Sequence, residues 1–106
     1  MKRDRLSGDY HEHLIKRLRD PELQAAYLNA AFEDGDRKML LKALRNVAEA
    51  SGGMRRLAVR AKLSRENLYR TLSDKGNPEL SSLERIIGAL GLVMRFETQR
   101  KHAPAH

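Results

Sequence analysis

Apolar residues recur at intervals of three and four along most of this chain, and glycines separate the stretches that carry the rhythm. That spacing puts side chains on one face of a helix. Leu14, Ile15 and Leu18 predict a helix over about 10–19. Leu23, Ala26, Tyr27, Ala30 and Ala31 predict a second over 21–34. Leu40, Leu41, Leu44, Val47 and Ala48 give a third over 37–51, and Leu57, Ala58 and Ala61 a fourth over 54–61. Leu68 and Leu72 mark a fifth over 64–72; Leu83, Ile86, Ile87 and Leu90 mark a sixth over 82–90. Gly35, Gly52, Gly76 and Gly91 follow these patterns, where a left-handed residue commonly ends a helix. The starts match. Asp9 with Glu12 and Ser81 with Glu84 read as capping boxes, Asp20 precedes a first-turn proline, and Asp36 and Ser64 are N-cap residues.

After Gly91 the period changes. Leu92, Met94 and Phe96 alternate with Val93, Arg95 and Glu97, which predicts a short strand. A lone strand in a helical protein needs a partner for its backbone groups. The same strand of a second copy, across a two-fold axis, is the simplest; the N-terminal segment is another, and no strand at all is the third outcome. The expected fold is therefore all-α, with five to six short helices plus a C-terminal strand pairing in a homodimer. Residues 1–19 form an N-terminal segment and helix, 20–98 the main domain with the strand, and 99–106 a polar, disordered tail.

Composition narrows the class. A chain of 106 residues has room for one modest core. It has no Cys, so neither a disulfide nor a thiolate metal site can form. No apolar run nears the roughly 18 residues that cross a bilayer, and the N-terminus lacks the apolar segment of a signal peptide. The expected location is the cytoplasm, near the nucleoid. His11 and His13 point about 200° apart on a helix, and His102 and His106 sit in the tail, so no metal or other cofactor is expected. Nor is an enzyme expected, since no nucleophile motif, carboxylate pair or phosphate-cradling glycine loop is present.

Charge changes the picture more than size does. The net charge is +7, and residues 36–75 carry eleven Lys or Arg against four Asp or Glu, so the whole excess lies there. Within that basic region, two short helices joined by a tight turn, a Gly-Asn-Pro break and a third helix have the layout of a helix-turn-helix core. With Leu68 and Leu72 inward, Arg65, Glu66, Asn67, Tyr69 and Arg70 are the candidates to read bases. Arg65 and Arg70 can bond guanine, Asn67 can pair with adenine, Glu66 can accept from cytosine, and Tyr69 can touch a thymine methyl or a phosphate. Arg55, Arg56, Lys62, Ser64, Lys75 and Asn77 frame that helix as phosphate contacts. A solvated basic helix face is the bland alternative for each.

The stretch DPELQAAYLNAAFEDGDRKMLLKALRNVAEASGGMRRLA, followed by LSRENLYRTLSDKGNPELSSLERIIGALGL, resembles the HigA-like addiction-module antidote proteins. These are helix-turn-helix antitoxins related to the phage-repressor (Cro/C1) class. The likeness runs from about Asp20 to Val93 and rests on AAYLNAAFEDGD, GGM and GNPELSSL occurring together. It implies a dimeric antitoxin that represses its own operon at a palindromic double-stranded operator. It also implies a partner, a RelE/HigB-like toxin. One position departs from the pattern: Lys62 stands where the turn usually carries Gly. Either the turn accepts a strain of about 1 kcal/mol, or its geometry differs.

A toxin that handles RNA must be basic. Residues 20–36 hold Asp20, Glu22, Glu33, Asp34 and Asp36 and no Lys or Arg, so they are candidate toxin contacts, or else an ordinary acidic first turn and loop. Two other functions share these features. A stand-alone phage-type regulator would have no toxin partner, and a pure interaction module would bind DNA weakly and without regard to sequence.

Overall fold

The structure, a computed structural model, describes the backbone of residues 2–99 and side chains from residue 8 onward. The expected disordered tail lies outside these residues, apart from Gln99. Six helices follow in order: α1 (Lys2–Arg17), α2 (Pro21–Asp34), α3 (Arg37–Ala50), α4 (Met54–Ala61), α5 (Arg65–Thr71) and α6 (Leu80–Ala89). The all-helical expectation holds. No strand occurs among the described residues. Residues 92–99 carry no regular structure, and Leu92 makes their last backbone bond, donating to the Ile87 carbonyl at 3.1 Å.

The amphipathic central helix α3 organises the core. Its Leu41, Ala43, Leu44, Val47 and Ala48 are buried, with α1, α2 and α4 packed around it. Helix α4 then carries α5 and α6, burying Leu57, Ala58 and Ala61 with Leu68, Leu72, Ile86 and Ile87. Helix α1 belongs to this body: Leu18 just beyond it is buried, and His11 Nε2 lies 3.0 Å from Glu49 Oε1 of α3.

Three features differ from the sequence reading, two boundaries and one buried face. Helix α1 begins at Lys2, so Asp9 lies within the helix and caps nothing. Helix α6 starts at Leu80 with Glu79 as N-cap, one residue after Pro78 and without a side-chain cap bond; Ser81 is already inside it. The third lies in α2, which has apolar residues around most of its circumference and so gives no clear inward direction. Leu28 and Gln24 are its buried positions, while Ala26 and Ala30 are exposed. Gln24 is tolerated there because its amide donates to the Leu18 carbonyl (2.7 Å) and to Ser51 Oγ (3.1 Å). A buried amide needs such partners. No described helix is long and apolar enough to cross a membrane.

Candidate nucleic-acid interface

Helix α4 turns Leu57, Ala58 and Ala61 inward at helical spacing, which leaves Arg55, Arg56, Val59 and Arg60 exposed. Its end is sharp. Lys62 adopts φ 59°, ψ 44°, the described non-glycine residue with a positive φ, and Leu63 donates back to the Ala58 carbonyl at 2.9 Å. Of the two outcomes open for this turn, the left-handed one is realised. Two residues later Ser64 caps α5, its Oγ accepting from the Asn67 N–H at 3.0 Å.

Helix α5 has seven residues, well short of the roughly 12–15 that hold an isolated helix together. It exists because Leu68 and Leu72 are fully buried beneath it. Each such burial contributes about 1.5–3 kcal/mol, more than capping does. With those two inward, Arg65, Glu66, Tyr69 and Arg70 all face solvent. Asn67 does not share that face. It is half-buried, and its Oδ1 accepts from the Thr71 hydroxyl at 3.3 Å.

The loop after α5 is held from α3. Arg45 donates through Nη1 to the Leu72 carbonyl (2.5 Å) and through Nη2 to Asp74 Oδ1 (3.1 Å). Arg37, at the start of the same helix, donates to Asn77 Oδ1 at 2.9 Å. Gly76 does not take the left-handed role its position suggested. It is needed because a Cβ there would sit 2.1 Å from the Thr71 carbonyl oxygen. Between α5, this loop and the start of α6 lies an open polar cleft of about 510 Å³, lined by Asn67, Arg70, Thr71, Lys75, Asn77 and Glu79 among others.

Electrostatically this region is predominantly positive, with Glu66 and Glu79 among its exposed acids. Arg55, Arg56, Arg60, Lys62, Arg65, Arg70 and Lys75 form no ion pair among the described residues, where the pairs are His11–Glu49 and Arg45–Asp74. Cations left unneutralised on one surface concentrate positive potential there.

The acidic candidates separate into two groups. Asp20 and Asp36 serve as N-caps, accepting from the N–H groups of Glu22 and Lys38 at 3.0 Å each, and Glu22 sits in the favourable first turn of α2. Glu33 and Asp34 have no such role. They are exposed at the C-terminal end of α2, where the helix dipole disfavours negative charge, and no cation occupies that last turn. Phe32, next to Glu33 in sequence, and Met39, in the first turn of α3, are exposed large apolar side chains, 45% and 50% accessible. Sequence reading missed these two, although Met39 lies off the inward stripe of its helix. It also missed Arg37, whose partner lies 40 residues away in sequence, and Thr71, one turn after Asn67 on the same helix.

Among the described residues, fold and surface define six helices around one core, with a basic region over α4, α5 and the loop that follows. The chain belongs to the family described as "Probable addiction module antidote protein", whose model matches residues 11–98. An uncharacterized protein of Haemophilus influenzae is 34% identical over 92 residues, spanning 87% of this chain and 90% of its own length. No solved structure matches significantly. Membership makes a toxin of some kind the expected partner.

Proposed function

We propose that α4 and α5 form a helix-turn-helix of the phage-repressor class, and that the protein is an antitoxin repressing its own operon in the cytoplasm, at the nucleoid. The row Arg65, Glu66, Tyr69 and Arg70 carries the reading: four exposed side chains with base-reading chemistry, on a helix seated by two buried leucines and flanked by unpaired cations. Arg55, Arg56, Lys62, Ser64 and Lys75 would hold the phosphates around it. Duplex DNA from upstream of the chain's own gene is titrated against a scrambled duplex. The native duplex is expected to bind at least about a hundredfold tighter. Arg70→Ala is expected to remove about 1–3 kcal/mol of that preference. Equal, weak binding of both duplexes overturns the base-reading assignment.

The partner is a basic toxin of the RelE/HigB type, docking on Glu33 and Asp34 with Phe32 and Met39 as apolar anchors. Burying an apolar side chain inside a charged rim is the usual anatomy of a protein contact. Glu33→Lys with Asp34→Lys is expected to abolish co-purification with the product of the neighbouring gene; unchanged recovery places the toxin elsewhere. The antitoxin acts as a homodimer joined through residues 92–98, where Val93, Met94 and Phe96 are exposed and the backbone beyond Leu92 has no partner among the described residues.

A further inference from the structure

Two asparagines line the cleft beside α5, and both have the amide oxygen already engaged. The Thr71 hydroxyl donates to Asn67 Oδ1 at 3.3 Å, and Arg37 Nη1 donates to Asn77 Oδ1 at 2.9 Å. Arginine has no acceptor, so the second bond fixes which end of the Asn77 amide is left over. Each asparagine then offers its Nδ2, a donor. Arg70 and Lys75, the cations of the cleft, are also donors only, and Glu79 is the carboxylate among its lining residues. A ligand suited to this set carries negative charge and accepts hydrogen bonds at several atoms, and a phosphate group does both. Adenine asks for something else. Its major-groove edge needs an acceptor and a donor from one asparagine turned toward it, whereas the Asn67 oxygen is turned toward Thr71 on its own helix, which takes one of its two acceptor positions.

We infer that Thr71 and Arg37 are positioning residues that hold Asn67 and Asn77 as donors to one phosphodiester of the bound duplex. Asn67 thereby grips the DNA backbone and reads no base. The inference rests on the DNA-binding reading above and changes the role of one residue within it. Glu79 opposes the ligand's charge at the rim, so Glu79→Gln tightens binding of any duplex.

Wild type, Asn67→Asp, Thr71→Val, Thr71→Ser and Arg37→Gln are titrated with the upstream duplex and with a scrambled duplex of equal length, with a thermal melt for each variant. Asn67→Asp replaces the donor by a charged acceptor. It weakens both duplexes by about tenfold or more, leaving the ratio between them unchanged. Thr71→Val and Arg37→Gln weaken both to an equal, smaller degree, and Thr71→Ser restores wild-type binding. A loss confined to the upstream duplex makes Asn67 a base reader and overturns the inference, as does wild-type affinity in Asn67→Asp. Should wild type show no preference for the upstream duplex, sequence reading fails on its own, while the uniform loss still decides the cleft. Should it bind neither duplex, inorganic phosphate is titrated instead. A shift of the Asn77 side-chain amide signal, abolished in Asn67→Asp, then supports a free-phosphate site, and no shift overturns it.

Discussion

Lys62 shows how a single residue can serve two demands that pull apart. A left-handed non-glycine residue costs on the order of 1 kcal/mol, and the structure places Lys62 at φ 59°. Lys62→Gly is therefore expected to raise stability by up to about 1 kcal/mol, or roughly 4–8 °C in melting temperature for a domain this size. The same change removes a cation from the basic face. The slope of log affinity against log salt should then fall by about 0.9 if Lys62 meets a phosphate. Thermal melts and a salt series on one pair of proteins separate the two effects, and a melt that stays level or drops contradicts the strain. Gly76 is the opposite case, a glycine whose backbone angles any residue could adopt but whose space none could share.

At the scale of elements, α5 is the most conditional part of the fold. Seven residues, one cap and two buried leucines hold it. Ser64→Ala is expected to cost about 1 kcal/mol, and faster hydrogen exchange should be confined to residues 65–72, with α3 unaffected. Protection that stays at wild-type level there makes the cap dispensable. The helices legible in the sequence were those with a narrow apolar stripe: α3, α4, α5 and α6 turn inward the leucines, isoleucines and alanines that periodicity assigns to them, with Leu40, Leu83 and Leu90 only half-buried at the edge of the core. Helix α2 was not legible in this way, because alanines on several faces leave its inward side to be chosen by tertiary contacts such as Gln24 with Ser51. The basic face was visible as charge and spacing. The inward lean of Asn67 was not, since it depends on Thr71 one turn later. The roles of Arg37 and Arg45 were hidden because each acts across about thirty to forty residues of sequence.

For the molecule as a whole, the open matter is what covers residues 92–98. Phe96 is 94% exposed and Val93 79%, and an apolar segment with unpaired backbone groups is a template for pairing with another chain. Sedimentation is expected to show a dimer for wild type and a monomer for Phe96→Glu, with the variant losing affinity for a two-half-site duplex far more than for a single half-site. A wild-type monomer at micromolar concentration removes the dimer. The hydrogen bond between Arg37 and Asn77 has a consequence of another kind. Arg37 follows Asp36 directly, so the acidic end of the α2–α3 hairpin and the cleft beside α5 share a border. On the proposed reading, a toxin at Glu33 and Asp34 and an operator at the cleft would sit on either side of that border, with Arg37 and Asn77 as the link between them. Whatever factor the toxin imposes on operator affinity, the operator imposes on toxin affinity. On that reading, occupancy of the gene's own control region would gauge how much toxin is free.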